Sequence, residues 1–146
     1  MELKDTDLCA SMHPQDIETL GGVLKQHNYN KEDRIFSQGE FGDAFYIVQR
    51  GQVDIRLQTT ERHYKRLAAY GPGTVFGEVA FFDPGNRTAN AVAMHKTEVL
   101  SLTRQGMKEL YLTHPDVALA VFSALGRLLS NNIRWSAREI KRLSQW

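Results

Sequence analysis

Glu78 and Arg87 stand nine residues apart in the stretch FGEVAFFDPGNRTANAVA, Phe76 to Ala93. An ionised glutamate only accepts hydrogen bonds, as from sugar hydroxyls, whereas a guanidinium can fork two phosphate oxygens. Gly77, just before the acid, lets the chain turn tightly from a strand into one helical turn over EVAFF, whose free N–H groups would face outward toward an anion. Ala80, Ala89 and Ala91 add small side chains beside a ligand or a tightly packed strand. The composite is a pocket for a sugar phosphate of low charge with an apolar base next to it. Read from the residues alone, a plain ion pair serves as well: Glu78 and Arg87 would bracket the Asp83-Pro84-Gly85 turn, with Gly77 a turn glycine.

The elements that must hold these residues change period along the chain. In PQDIETLGGVLKQH, residues 14–27, the spacing of Ile17, Leu20, Val23 and Leu24 predicts an N-terminal helix, with Pro14 in its first turn and Gly21-Gly22 as its weak point. Over residues 34–103 the pattern shifts to short strands, DAFYIVQR, GQVDIRLQ, YKRLAAY, TANAVAM and TEVLSLT, divided by the turns SQGEFGD, RGQ, YGPGT and DPGN. Many short strands with glycine-rich turns predict a closed antiparallel roll that hides its edges. From Arg104 the β signal stops. RQGMKELYLTHP reads as a short helix ended before Pro115, and a long helical pattern then runs to about residue 143 with apolar residues on more than one face. The fold class is therefore α+β: a jelly-roll-like antiparallel β-roll (a double-stranded β-helix) flanked by an N-terminal helix and C-terminal helices, one domain over residues 1–146.

Composition excludes several roles. A chain of 146 residues, 42% of them hydrophobic, buries one core, and a formal charge of +1 sets up no global field toward polyanions. Cys9 is alone and forms no internal disulfide, which fits a reducing compartment. No apolar run reaches the roughly 18 residues of a membrane span, and the start MELKDTD is not a signal peptide. A cytoplasmic location follows, or the cytosolic side of a membrane protein, with no membrane insertion by this chain. His13, His27, His63, His95 and His114 are scattered one per segment without an H-x-H, so neither a metal site nor a cupin-type metalloenzyme is supported. No catalytic residue and no cofactor is expected.

Phe76 to Ala89 resembles the phosphate-binding cassette of cyclic-nucleotide-binding domains: F-G-E, an aliphatic residue, A, two apolar residues, a short turn, then R, a small residue and A. FSQGEFGDAFYIVQRGQVDI resembles that family's glycine-rich hairpin, and YGPGTVFGE its approach to the cassette. The resemblance implies that Glu78 accepts the ribose 2′-hydroxyl and Arg87 pairs with the cyclic phosphate. Backbone N–H groups around Val79, Ala80, Thr88 and Ala89 would complete the cradle, beside Phe76, with Gly77 allowing close approach. Gly39, Gly42 and Gly51 would be structural, their hairpin turns needing positive φ. The ligand implied is cAMP or cGMP, with cAMP favoured; the Thr88 hydroxyl can bond either the phosphate or a guanine 2-amino group. Asn86 departs from the family, which often has proline before the cassette arginine.

In that family the last long helix closes over the ligand as a lid. By position, Arg127, Leu128, Asn131 and Asn132 are the candidate lid contacts; the two asparagines can equally be ordinary exposed residues. The same helix is a candidate homodimer surface. Too few residues follow it for a helix-turn-helix, so direct DNA binding is not expected. The wording of the cassette is closest to bacterial domains appended to transporters or enzymes. The reading is thus a regulatory sensor module with an effector of unknown identity. Its rival is a degenerate roll kept as an interaction scaffold without a ligand.

Overall fold

In the computed structural model, which describes residues 1–144, strand β4 (Ala44–Arg50) sends alternate side chains to two different cores. Phe45 and Ile47 join Leu8, Leu20, Phe81, Leu102, Leu110, Val121 and Leu125, a cluster between the roll and the helices. Val48, one step out of phase, joins Phe36, Val53, Phe76, Ala91, Ala93 and Val99 inside the roll. A strand with period two that is covered on both faces reads as nearly continuous apolar sequence, which is what AFYIV shows.

The roll is built from antiparallel pairs. One four-stranded sheet has the order β1 (Lys25–Tyr29), β10 (Thr97–Thr103), β4, β7 (Val75–Phe76). The other runs β2 (Arg34–Phe36), β9 (Asn90–Ala93), β5 (Val53–Gln58), β6 (Tyr64–Tyr70). A short pair, β3 (Phe41–Gly42) with β8 (Gly85–Asn86), sets Phe41 opposite Asn86. Helix α2 (Glu78–Phe82) follows β7 directly; α3 (Arg104–Thr113) and α4 (Pro115–Leu143) follow β10.

Two features differ from the sequence expectation. The N-terminal helix does not reach residue 27: α1 spans Pro14–Gly21, and Lys25–Tyr29 is a strand paired with β10, His27 opposite Val99. The paired glycines end the helix, and KQHNY, which has no apolar alternation, is held extended by its ladder rather than by its pattern. The strands therefore begin nine residues before residue 34. Second, only Gly39 and Gly51 of the three hairpin glycines have positive φ, 86° and 87°; Gly42 does not, and its need for a bare Cα has another cause.

Candidate functional site

The cassette begins where the chain must reverse from strand to helix. Gly77, at φ 78° and ψ 8°, occupies the left-handed region and precedes α2, a conformation costly for any residue with a Cβ. Space is short there as well: a Cβ on Gly77 would lie 3.2 Å from Arg87 Nη1 and 3.3 Å from the Ala44 carbonyl oxygen. Helix α2 is a single turn, so its leading N–H groups have no acceptor within it. Its far end is closed by Arg104 at the start of α3, whose Nη1 donates to the Phe81 and Phe82 carbonyls, each at 3.0 Å.

Arg87 returns to this turn from the other side. Its backbone is clamped by the glycine-rich hairpin: the Arg87 N–H donates to Glu40 O at 2.6 Å and the Gly39 N–H donates to Arg87 O at 2.7 Å. The guanidinium is buried. Nη1 donates to Gly77 O at 3.1 Å, Nη2 to Ala44 O at 2.9 Å, and Nε has no partner. A Cβ on Gly42 would sit 2.0 Å from Nε and 2.5 Å from Cζ, so Gly42 is bare because the guanidinium occupies that volume, not because of its φ.

Glu78 is buried too, yet Glu78–Arg87 is not among the ion pairs of the described residues. The arginine spends both terminal nitrogens on carbonyls, so the plain ion-pair reading of the sequence does not describe this arrangement. Burial pushes the Glu78 carboxyl up from its ordinary value, while its own backbone N–H and the charge of Arg87 pull it part-way back. Burial also raises the Tyr70 phenol, and the nearby Glu78 charge adds to that. Burial lowers Arg87, against the pull of Tyr46.

All eight cassette residues singled out from the sequence, Phe76, Gly77, Glu78, Val79, Ala80, Arg87, Thr88 and Ala89, line one cleft of about 220 Å³. Asn86 lines it as well, fixed by the β3–β8 pair. Phe36, Ile55 and Tyr70, which the sequence reading did not assign to a site, complete the wall. Phe36 and Tyr70 each end a strand just ahead of a glycine-containing turn, and that position was the available signal. Arg127, Leu128, Asn131 and Asn132 do not line this cleft. Arg127 Nη2 donates to Ser11 Oγ at 2.9 Å, Leu128 packs on the helix-side core, and both asparagines are exposed on α4. Aromatic rings help join α4 to the cassette: Phe122 packs tilted at 5.9 Å from Phe81 and 6.2 Å from Phe82.

The cleft holds one buried cation, one buried carboxylate and an apolar wall, and all its lining residues fall within residues 26–114, which match the family model described as "Cyclic nucleotide-binding domain". The chain belongs to the cyclic nucleotide-binding domain family. It is 32% identical over 142 residues to the "Cyclic AMP receptor protein" of Thermus thermophilus, covering 97% of this chain and 64% of that one. The crystal structure of the Thermus thermophilus catabolite activator protein superposes with a TM-score of 0.81 at 31% identity, covering 95% of this chain and 63% of that one. The N-terminal domain of a transcriptional regulator from Streptomyces coelicolor gives a TM-score of 0.78 at 27% identity, covering 92% and 94%. The chain spans between 56% and 64% of the length of the first curated relatives it matches. No helix of the described residues is long and apolar enough to cross a membrane.

Proposed function

We propose that the cleft binds a cyclic purine nucleotide, cAMP in preference to cGMP, and that α4 carries the signal of occupancy to an effector. The observation that carries this reading is the buried Arg87, anchored by two carbonyls and with Nε unpartnered, beside a buried and unpaired Glu78. Among the residues lining the cleft Arg87 is the one cation, which suits a singly charged phosphodiester better than a doubly charged monoester. Glu78, which lines the cleft, would take the ribose hydroxyl, and Phe36, Ile55, Tyr70 and Ala89 would offer apolar surface to the base. The preference for cAMP rests on similarity to the Thermus cyclic AMP receptor protein.

Signalling through α4 is supported by the Phe81–Phe82–Phe122 cluster, since a ligand that draws on the N-terminus of α2 pulls on two rings that α4 also touches. The lid contacts assigned to Arg127, Leu128, Asn131 and Asn132 belong to the same proposal and require α4 to move toward the cleft. The module would serve as the regulatory part of a larger protein, a transporter or an enzyme, or as a stand-alone sensor.

Calorimetric titration with cAMP, cGMP and adenosine 5′-monophosphate tests the reading, with circular dichroism to check that each variant folds. We expect cAMP to bind best, the monophosphate to bind much more weakly, and Arg87→Lys or Glu78→Ala to lose on the order of 100-fold, as for a charge-assisted hydrogen bond left unmade. Absence of binding by either cyclic nucleotide to the wild-type protein would replace this function with the interaction-scaffold reading.

A further inference from the structure

The Arg87 guanidinium lies over the ring of Phe36, with Cζ 4.1 Å from the centroid, while Tyr46 stands further off at 5.8 Å. Phe36 itself is wedged against Tyr46 and Phe76, at 5.9 and 6.2 Å, and Tyr46 stacks on Phe76 at 5.1 Å. A guanidinium is planar and has two faces and three hydrogen-bonding edges. Here the Nη atoms are tied by Gly77 O and Ala44 O, and one face is covered by Phe36, so the plane can neither tilt nor rotate without leaving a favourable contact. Gly42 leaves the Nε region free of side-chain atoms of its own.

We infer that Phe36 is a positioning residue of the anion site: it acts through Arg87, fixing the guanidinium plane beside the cleft in the orientation in which it meets the anionic group of a ligand. The inference rests on the cyclic-nucleotide reading for the identity of that ligand, but not for the geometry. Phe36 also lines the cleft, so its ring is shared between the arginine and the ligand space. An aliphatic residue of similar size would fill the same core volume without ordering the cation.

The test compares Phe36→Met, which keeps bulk and removes the ring, with Phe36→Tyr, which keeps the ring. Affinity for cAMP is measured by calorimetry, and the Arg87 Nε–H resonance is followed by nuclear magnetic resonance in the ligand-free protein. Positioning by the ring predicts cAMP affinity about 10-fold weaker in Phe36→Met and close to wild type in Phe36→Tyr. It also predicts an Nε–H resonance displaced by ring shielding in the wild type and in Phe36→Tyr, but not in Phe36→Met. Equal affinities for all three proteins, or an Arg87 resonance that ignores the ring, would overturn it. If the wild type binds no cyclic nucleotide, the functional reading fails while the resonance still decides the role of Phe36. Should Phe36→Met not fold, the shielding in the wild type and Phe36→Tyr, read against the exposed arginines of the same spectra, decides it: no displacement means no positioning.

Discussion

Glu78 carries a cost that its role requires. Burial raises its pKa in the folded protein, so the native state holds the proton more tightly than the unfolded chain does. The contribution to stability is then greatest below the ordinary glutamate range and falls as pH rises through and above it. We expect Glu78→Gln to unfold at a higher temperature than the wild type near neutral pH. The gap should close as pH is lowered below the ordinary glutamate range, while cAMP binding stays weakened across the range; thermal melts and cAMP titrations from pH 4 to 8 measure this. Gly42 makes a sharper case. Any Cβ there collides with the guanidinium, so Gly42→Ala should leave the strands in place by circular dichroism yet weaken cAMP at least about 10-fold by displacing Arg87. The glutamate and arginine were legible in the sequence because their contacts are local and their spacing is short. Phe36 and Tyr70 were not, because strand pairing brings them to the cassette from distant segments, and a buried aromatic before a turn reads as core. A positive φ and a neighbouring side chain both select glycine, so the sequence alone does not distinguish the hairpin reason expected for Gly42 from the guanidinium that fills its Cβ position.

At the scale of elements, the sequence pattern located β4, β5, β6, β9, β10 and the break at Pro115, but not the two-residue strands β7 and β8, the second of which lies in the expected DPGN turn. It missed β1 because KQHNY is exposed along much of its length and gains its conformation from β10. It also ran α1 through Gly21-Gly22, where apolar residues continue the helical spacing after the helix has ended. Between elements, the Phe81–Phe82–Phe122 cluster and the Arg104 bonds to α2 tie cassette and helices into one contact. If these rings carry the signal, Phe122→Ala should bind cAMP with nearly unchanged affinity but fail to transmit. Hydrogen exchange across residues 115–143 reads this directly: saturating cAMP should alter protection in the wild type and leave it unaltered in Phe122→Ala. An unaltered wild-type helix would refute signalling through α4.

For the whole molecule, α4 extends well past the core it packs on. Leu119, Phe122, Gly126, Leu129, Ile133, Ser136, Ile140 and Leu143 recur at alternating intervals of three and four residues, and Leu119, Phe122, Ile133, Ile140 and Leu143 are exposed. That is the spacing of a coiled-coil seam, for which a second copy of the same helix is the simplest complement. We expect sedimentation equilibrium to show a dimer that the double substitution Ile133→Glu, Ile140→Glu converts to a monomer without loss of the roll's circular dichroism. Phe122 sits both on this seam and against the cassette rings, so cAMP should shift the dimerisation constant, and dimerisation should shift cAMP affinity by the same factor.

Trp135, exposed near the outer end of α4, has an optical consequence. The sequence contains two tryptophans, Trp135 and Trp146, and none within the roll, which instead carries Tyr29, Tyr46, Tyr64 and Tyr70. Light absorbed selectively by indole therefore reports on the C-terminal end of the chain alone, and tyrosine emission reports on the roll apart from the one tyrosine of α3, Tyr111. Energy transfer from the one set to the other provides a built-in ruler between cleft and helix, able to follow their separation in the unlabelled protein in real time.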